Sequence, residues 1–298
     1  MKNLLIIGYG KWGKKIFNFL KKKNLFNTIY IKQTNKTYVY NNKKNQLNKI
    51  NNNYLPKNLN FVHICSQVET HYSLYKKYKK IKYLSIEKPL FNKWSQYNTF
   101  NDQYSINVNY VDLYNPVIEN FFKNLKFSQT KQIYLNYSAR NNFYKKQIDF
   151  LNDWLDHPLS ILLQMQKIDK IEEFNSEIKV LNNKKFNYFF IKLRIEKLLI
   201  NISINNTINK KREFIILKKN KKIKYDLLKN RIFINNKLKK EFKYSSFEIF
   251  FSNLGTSKKN IKFKKIKFHK KIFKFKSKLI NLVKKGEKYS KIGCGARI

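Results

Sequence analysis

The sequence of 298 residues has little cysteine, glycine, alanine or arginine. Its two cysteines, Cys65 and Cys294, form neither a metal-binding pattern nor a disulfide framework, so we expect no metal and a reducing compartment. No apolar run approaches the roughly 20 residues that a membrane-spanning helix needs. The first apolar run, residues 4–7, is too short for a signal peptide. These absences favour a soluble, cytoplasmic protein without a membrane partner.

Acidic residues are also scarce: 18 Asp and Glu stand against 64 Lys and Arg, which gives a formal net charge of +46. Such a charge suggests nucleic acid or an anionic surface as a partner. However, only five of the basic residues are arginine, the residue best suited to bidentate contacts with phosphates and bases. The abundant residues have AT-rich codons, and alanine occurs only twice. We therefore attribute the charge to an AT-rich genome and expect no specific nucleic-acid partner; a nucleic-acid-binding protein is the alternative that the charge favours.

Three of the seven glycines fall within six positions, in the G-x-G-x-x-G segment Gly8-Tyr9-Gly10-Lys11-Trp12-Gly13. An apolar run precedes this segment and a run with helical spacing follows it, which predicts a strand, a turn and a helix. In that context the glycines allow a tight turn, close approach of the backbone to a pyrophosphate, and packing of the helix on the sheet. The amides at the helix start then bind phosphate. The segment predicts dinucleotide binding by all six residues; a purely structural turn is the alternative.

The end of the second predicted strand bears on which dinucleotide is bound. NAD-binding proteins usually have an acidic residue about 20 residues after the glycines, where it binds the ribose. Here the corresponding residues are Lys32 and its neighbours Gln33, Thr34 and Asn35, and none is acidic. A lysine beside Thr and Asn suits a 2′-phosphate, which favours NADP over NAD; a lysine present only through compositional drift is the other interpretation.

The order of predicted elements indicates two domains. Up to about residue 110, strands at 4–7, 28–31, 61–65 and 81–86 alternate with helices at 13–23 and 69–79, and a helix is expected without a clear place between 34 and 60. Later, helices at 116–125, 154–167 and 276–284 accompany strands at 132–138, 186–193, 198–204, 213–217, 221–225 and 231–234. Alternation predicts a parallel sheet, and short strands joined by polar turns predict an antiparallel one. We therefore predict an α/β Rossmann dinucleotide-binding domain at 1–110 and an α+β substrate and oligomerisation domain at 111–298.

Glu87-Lys88-Pro89 follows a predicted strand, at the end where α/β sheets bind ligands. The proline restricts the backbone, and the glutamate can hold the lysine in place. A lysine so placed can bind a substrate hydroxyl and change the pKa of neighbouring groups. The segment is therefore a candidate for catalytic chemistry.

Only four histidines occur, and their surroundings differ. His63 lies within a predicted strand and is expected in the core, whereas His269 lies in a lysine-rich run and is expected at the surface. Asp153 precedes His157 by four residues, so on a helix its carboxylate could orient the imidazole. His157 is therefore a candidate acid or base, and a buried structural histidine is the alternative.

Taken in order, these segments resemble the glucose–fructose oxidoreductase / inositol dehydrogenase (Gfo/Idh/MocA) family. The resemblance covers most of the chain and is carried by six segments: residues 60–71, similar to the third-strand motif that ends in Thr-His; 86–90, with Glu-Lys-Pro; 109–116, which is similar to the segment that opens the second domain; 153–157, with Asp-x-x-x-His; and 211–215 with 224–226, similar to a strand pair of the large sheet. The Asp-Trp form followed by Pro-Leu-Ser is similar to a subgroup associated with surface-polysaccharide sugars.

The resemblance implies a Rossmann domain followed by a large open, mostly antiparallel sheet that often forms oligomer contacts, so a homo-oligomer is expected. It also implies NAD(P)-dependent hydride transfer at a hydroxyl-bearing carbon of a sugar, nucleotide sugar or cyclitol. By this resemblance His157 is the proton carrier, Lys88 binds and polarises the reacting oxygen, and Asp153 orients the histidine or the substrate.

The same resemblance assigns further residues to the cofactor, namely Ser66, Gln67, His71, Glu87 and Lys88. Two positions depart from the family pattern: Leu155 stands where glycine is usual, and Ser160 where an acid is frequent. The ribose-binding acid is also absent. These departures leave a catalytically inactive, dinucleotide-binding regulator as the alternative hypothesis.

Overall fold

In a computed structural model, the chain is described at residues 2–51, 56, 58–100, 106–138, 147–165, 177–183, 186–195, 197–206, 209–256 and 266–292. It divides into two compact units, Met1–Val111 with Phe247–Lys270, and Asp112–Ser246 with Lys271–Ile298. The sequence-based division had placed the whole of 111–298 in the second domain. Phe247–Lys270 instead joins the first unit, where the Phe247 ring lies 5.4 Å from the Trp12 ring and 5.3 Å from the Phe19 ring.

The strands are β1 (Asn3–Ile7), β2 (Thr28–Lys32), β3 (Thr37–Asn41), β4 (Gln46–Ile50), β5 (Phe61–Ile64), β6 (Tyr83–Glu87), β7 (Ile106–Asn109), β8 (Thr130–Ser138), β9 (Glu177–Asn183), β10 (Phe186–Ile195), β11 (Leu198–Asn205), β12 (Lys211–Lys218), β13 (Lys221–Asp226), β14 (Arg231–Ile234) and β15 (Lys237–Glu241). The α-helices are α1 (Lys11–Lys23), α2 (Val68–Tyr78), α3 (Trp94–Asn98), α4 (Pro116–Asn124), α5 (Gln147–Trp154), α6 (Asp156–Leu162), α7 (Ser246–Thr256) and α8 (Ile266–Ile292). Two 3₁₀ turns, Val111–Tyr114 and Phe127–Gln129, complete the described elements.

The first unit contains a seven-stranded sheet in the order β4-β3-β2-β1-β5-β6-β7. Strands β1, β2, β5, β6 and β7 are parallel. Since β1 lies between β2 and β5, the chain crosses to opposite sides of β1, and the crevice at the carboxyl ends of β1 and β5 is where such sheets bind ligands.

A hairpin takes the place of the helix expected between 34 and 60. Strands β3 and β4 pair antiparallel with each other, and β3 pairs antiparallel with β2. Asn45 supplies a positive φ of 48° in the connecting turn, and the Tyr40 hydroxyl donates to the side-chain oxygens of Asn42 and Asn45. Asparagine tolerates this conformation better than most residues, which allows the chain to turn at Asn45 and form the hairpin.

The second unit contains an eight-stranded sheet in the order β15-β14-β13-β12-β8-β11-β10-β9. Only the β8–β11 pair is parallel among the described strand pairs of this sheet. Helix α4 covers one face through Phe121, whose ring lies 5.6 Å from that of Phe214 and 5.5 Å from that of Tyr225. The two sheets confirm the predicted fold class.

The predicted helix 154–167 was wrong in its bounds. The structure has α5 and α6 with a break at Leu155, followed by Pro158 in the first turn of α6. Proline has no amide hydrogen, so it cannot donate to the carbonyl of Trp154 as a continuous helix would require.

The last predicted helix, 276–284, is part of a longer one, α8. Its buried residues recur every three or four positions and include Ile266, His269, Ile272, Lys276 and Leu279. His269 falls on this inner face and is 2% exposed, with its ring stacked 5.7 Å from that of Tyr110, so the expected surface position was wrong. Among the described residues, no helix is both long and apolar enough to span a membrane.

Candidate functional site

The first two elements of the chain, β1 and α1, meet at the G-x-G-x-x-G segment, beside the loop that follows β5. Gly8 has φ +101°, and a Cβ there would lie 2.6 Å from the carbonyl oxygen of Cys65. The Gly8 amide donates to the carbonyl of Lys32 at 2.9 Å, and the Cys65 thiol donates to the Gly8 carbonyl at 3.0 Å. Burial, helped by the charge of Glu87, raises the pKa of the Cys65 thiol, so the thiol keeps the proton that it donates. The ends of β1, β2 and β5 are therefore joined around Gly8.

The other two glycines of the segment serve different purposes. A Cβ at Gly13 would overlap the carbonyl oxygen of Gly8, so the packing of α1 on the turn requires glycine there. A Cβ at Gly10 would meet no atom of the described chain within 4 Å, and its φ of −72° suits any residue. Gly10 is also the N-cap of α1 and makes no side-chain cap. Open space beside the backbone at a helix N-terminus fits a pyrophosphate.

Tyr9 and Lys32 lie at the edges of this loop. The Tyr9 ring packs edge-on against that of Phe17 at 5.9 Å and lies 6.5 Å from the ring of Tyr38 on β3. Burial and the nearby Tyr38 raise the pKa of Tyr9. Lys32 is half-buried, ends β2 and pairs in register with Thr37. The β3–β4 hairpin therefore pairs with β2 up to Lys32, the residue on which the predicted cofactor preference depends.

Glu87, the last residue of β6, joins the Glu-Lys-Pro segment to the glycine-rich loop. Its Oε1 accepts hydrogen bonds from Trp12 Nε1 at 2.7 Å and from the side-chain amide of Asn109. His63 Nε2 lies 3.3 Å from the same oxygen, but its orientation gives no hydrogen bond. Three strand ends thus meet at one carboxylate. No sequence pattern predicts the contact between Trp12 and Glu87, because 75 positions separate the two residues.

His71, assigned to the cofactor by resemblance, is 1% exposed and bridges two loops. Its Nδ1 lies 3.0 Å from the carbonyl oxygen of Pro89 and 3.3 Å from that of Leu90, while its Nε2 lies 3.1 Å from that of Ser66. Burial lowers the pKa of His71, although the three carbonyls oppose this effect. The ring holds the Glu-Lys-Pro segment, whose Lys88–Pro89 peptide is cis, beside the end of β5.

The remaining residues assigned to the cofactor lie at the same end of the sheet. Ser66 is half-buried, and its hydroxyl lies 2.7 Å from that of Thr70. Gln67 is exposed and is the N-cap of α2. Lys11 is the first residue of α1, and Lys88 directly follows β6 and is half-buried. These positions are compatible with the assigned roles, which stay predictions.

In the second unit, His157 belongs to a buried cluster centred on Asp112. Asp112 lies in the 3₁₀ turn Val111–Tyr114 and is 2% exposed. Its Oδ2 lies 2.9 Å from His157 Nδ1 and accepts from the Tyr137 hydroxyl at 3.3 Å, while its Oδ1 accepts from Arg212 Nη1 at 3.1 Å. Burial alone would raise the pKa of Asp112, but the charges and hydrogen bonds of Arg212 and His157 outweigh it and hold that pKa well below its usual range.

Two aromatic rings flank the imidazole of His157. The Tyr137 ring is stacked at 5.9 Å with an interplanar angle of 23°, and the Trp154 ring lies at 5.7 Å. Arg212 also places its guanidinium 5.3 Å from the Trp154 ring centroid. Burial and the charge of Asp112 raise the pKa of Tyr137 well above its ordinary value, so its hydroxyl stays protonated. A histidine held in this way is suited to proton transfer.

The aspartate bonded to His157 is not the one that sequence spacing suggested. Asp153 lies in the last turn of α5 and is half-buried, and its expected role of orienting the histidine or substrate stays a prediction. Sequence reasoning missed Asp112, which is 45 positions from His157. The available signal was an acidic residue in an apolar stretch, between Val111 and Leu113, in a chain poor in acids. Within the described residues, no group of three or more His, Cys, Asp or Glu could hold a metal ion.

No protein-family model and no curated protein sequence matches the chain. Solved structures do match it over nearly its full length. UDP-N-acetylglucosamine 3-dehydrogenase GnnA from Acidithiobacillus ferrooxidans is 12% identical, with a TM-score of 0.68 over 93% of this chain and 95% of that one.

Two further structures of this fold were determined with bound cofactors. An inositol dehydrogenase homolog from Azotobacter vinelandii, complexed with NADH and myo-inositol, is 7% identical, with a TM-score of 0.61 over 96% of each chain. Biliverdin reductase from Synechocystis sp. PCC 6803, in complex with biliverdin and NADP+, is 10% identical, with a TM-score of 0.59 over 91% of this chain and 96% of that one. The chain therefore shares the fold of these solved oxidoreductases, a fold consistent with the one that the resemblance of its motifs implied.

Proposed function

We propose that the protein is an NAD(P)-dependent oxidoreductase that transfers hydride to or from a hydroxyl-bearing carbon of a sugar, nucleotide sugar or cyclitol. The glycine-rich loop carries this proposal, because packing among the residues that the structure describes explains Gly8 and Gly13 but leaves open space beside Gly10. The fold supports the same activity, since it is shared with a UDP-N-acetylglucosamine 3-dehydrogenase and an inositol dehydrogenase homolog. The likeness to a biliverdin reductase limits what the fold says about substrate, so the sugar and its use in surface polysaccharides rest on the motifs.

The residues of the glycine-rich loop fit a nicotinamide dinucleotide. The amides at the start of α1 would hold the pyrophosphate, and Lys32 at the end of β2 would meet the adenosine ribose. When bound, the nicotinamide ring supplies the carbon that takes or gives the hydride. Because Lys32 stands where NAD-binding proteins have an acid, we propose that NADP is preferred.

Cofactor preference is tested by calorimetric titration of the purified protein with NADH and NADPH. NADPH should bind more tightly, and Lys32→Gln should remove most of the difference, since it removes the charge opposite a 2′-phosphate. Lys36→Gln is the matched control, because Lys36 is an exposed lysine of the neighbouring turn. Tighter binding of NADH by the unaltered protein would contradict the preference.

In the proposed reaction, His157 is the acid or base and Lys88 binds the reacting oxygen. Asp112 is ionised and can only accept, so Nδ1 of His157 carries a proton and the lone pair of the neutral ring is on Nε2. Nε2 therefore takes the hydroxyl proton in the oxidising direction and returns it in the reducing direction. Lys88 stabilises negative charge on the same oxygen, and Asp153 helps to orient the substrate or the histidine.

The activity is tested by following nicotinamide absorbance with a panel of sugars, nucleotide sugars and cyclitols. With a responsive substrate, Lys88→Ala and His157→Ala should each reduce turnover by about 10²–10⁴-fold while cofactor affinity changes little. Lys80→Ala is the matched control, since Lys80 is exposed in the turn after α2. Unchanged turnover in both active-site variants would remove these residues from the mechanism.

The alternatives give different results in the same series of measurements. If the protein binds the cofactor but turns over no substrate of the panel, the result would favour a regulator, the hypothesis that Leu155 and Ser160 leave open. Tight, sequence-selective binding in a mobility-shift assay at physiological salt would favour a nucleic-acid-binding protein. Light scattering tests the proposed homo-oligomer, which would use the large sheet of the second unit.

A further inference from the structure

We propose that Asp112 is the positioning residue of His157, and that Arg212 sets the charge balance that keeps the histidine a neutral base. The proposal rests on the proposed function, in which His157 transfers the substrate proton. It assigns to Asp112 the orientation of the histidine, which sequence spacing suggested for Asp153, and leaves to Asp153 the proposed orientation of the substrate. It also gives Arg212 a part in the reaction without contact with the reacting atoms.

Orientation of the imidazole follows from one hydrogen bond and two flanking rings. The carboxylate of Asp112 lies 2.9 Å from Nδ1 of His157 and fixes the tautomer. Tyr137 and Trp154 lie against the imidazole at 5.9 and 5.7 Å and restrict its rotation about the bond to Asp112. Asp112 is itself fixed, because its second oxygen accepts from Arg212 at 3.1 Å. The imidazole of His157 is therefore bonded to a carboxylate whose own position is fixed by Arg212.

The charges of the cluster determine how readily His157 becomes protonated. With neutral His157, the positive charge of Arg212 and the negative charge of Asp112 cancel. Protonation of His157 gives the cluster a net positive charge in a buried setting, which is unfavourable. An opposite charge favours the protonated ring and a like charge disfavours it, so Asp112 and Arg212 act on His157 in opposite directions. Tyr137 adds no charge, since burial keeps its hydroxyl protonated.

Among the described residues, two further aspartates lie close to His157 in the sequence, Asp156 beside it and Asp153 on the preceding helix. Asp156, the residue before His157, is fully buried and pairs with Lys276 of α8 at 2.9 Å. These two charges cancel each other, so their net effect on the ring is small. Asp153 on α5 is the competing carboxylate, and the experiment must separate it from Asp112.

The test measures the protonation of His157 directly, by ¹H–¹⁵N NMR of ring nitrogens in the unliganded full-length protein. The chain has four histidines, so His157→Gln identifies the signal by its loss. Titration between about pH 4 and 9 covers the range in which histidine ionises. Asp112→Asn should move the midpoint of this signal down by about one pH unit or more, and Arg212→Gln should move it up by a similar amount.

A purely structural role for the cluster would not shift the midpoint in opposite directions. Shifts in the same direction, or no shift in either variant, would overturn the proposal. Asp153→Asn is the matched aspartate substitution, and a larger shift there than in Asp112→Asn would return the orienting role to Asp153. If Asp112→Asn fails to fold, as judged by circular dichroism, Arg212→Gln still decides, because an unchanged or lowered midpoint contradicts the charge balance.

The NMR result is independent of the proposed enzymatic activity. If no substrate in the panel is turned over, the proposed function fails while the midpoints still support or overturn the roles of Asp112 and Arg212 toward His157. Where turnover is found, the acidic limb of its pH profile should move in the same direction as the NMR midpoint in each variant. A profile that moves in the opposite direction would show that another group is the one that ionises.

Discussion

Alanine substitutions at Gly10 and Gly13 should distinguish an effect on cofactor binding from an effect on folding. A Cβ at position 13 would overlap the backbone carbonyl of Gly8 and would also lie 3.2 Å from the sulfur of Cys65. A Cβ at position 10 would meet no atom of the described chain within 4 Å. We therefore expect Gly13→Ala to affect folding and Gly10→Ala to affect cofactor binding.

The magnitudes follow from these contacts. Crowding in a packed interior costs about 1–3 kcal/mol, and the upper end applies to Gly13→Ala because the obstacle is backbone. Alanine offsets about 1 kcal/mol of this within a helix, so the net loss is about 2 kcal/mol. Gly10→Ala places alanine at an N-cap and should cost less than about 1 kcal/mol. Its methyl group lies where the pyrophosphate would approach, so cofactor affinity should fall at least about tenfold, or about 1.4 kcal/mol.

Urea unfolding, followed by tryptophan fluorescence without cofactor, measures the first effect, and calorimetry with NADH and NADPH measures the second. Gly13→Ala should unfold at clearly lower urea than the unaltered chain, and Gly10→Ala close to it. The reasoning is refuted if Gly10→Ala binds both cofactors as tightly as the unaltered protein. Equal destabilisation by the two substitutions would show that the space beside Gly10 is needed for packing.

Three further predictions concern buried and half-buried polar contacts. Lys276→Met leaves the carboxylate of Asp156 without its cation and should lower the free energy of unfolding by about 3–5 kcal/mol. The double variant Lys276→Met/Asp156→Leu should regain much of that stability. A Lys276→Met variant as stable as the unaltered chain would contradict the ion pair between Lys276 and Asp156. Trp12→Phe keeps an aromatic ring but removes the N–H that donates to Glu87 at 2.7 Å. The free energy of unfolding, measured in urea, should therefore fall by about 1 kcal/mol. An unchanged free energy of unfolding would argue against this hydrogen bond. Because the folded-state pKa of Asp112 is depressed, its contribution to stability is complete well above its ordinary value of 3.8 and is lost as pH falls below that value. The stability difference between the unaltered chain and Asp112→Asn should therefore stay constant above about pH 5 and narrow as pH falls from about 5 toward 2, and a constant difference over that range would contradict the shift.

Local signals in the sequence were enough for the parallel core of the first unit. Strands β1, β2, β5 and β6 are short apolar or β-branched runs, and helix α1 follows glycines that break the pattern sharply. The hairpin β3–β4 was missed because its turn depends on asparagine at positive φ, and asparagine is so common in this chain that it marks no position. Strand β15 was also missed, because all five of its residues are exposed and it lies at the sheet edge, where no apolar alternation is needed.

The candidate site was predictable only where its residues are close in sequence. The glycine-rich loop, Lys88 and the spacing of Asp153 and His157 could be proposed as candidates because each is a short pattern. The bonds of Glu87 to Trp12 and of Asp112 to His157 join residues that are 75 and 45 positions apart, and no spacing rule anticipates them. The spacing of four residues suggested that Asp153 contacts His157. The aspartate that contacts the ring in the structure is Asp112, in the turn that opens the second unit.

The excess of lysine over acidic residues explains why the buried carboxylates of this chain are informative. An exposed lysine is accepted almost anywhere on a surface, because water and salt screen its charge and exposed pairs contribute little. A buried carboxylate is different, since removing its partner leaves an uncompensated charge at a cost of several kcal/mol. Asp112 and Asp156 are 2% and 0% exposed, and each is satisfied by a specific cation on another element, Arg212 and Lys276. In a chain with 18 acids among 298 residues, buried acids are therefore better guides to its chemistry than its net charge of +46.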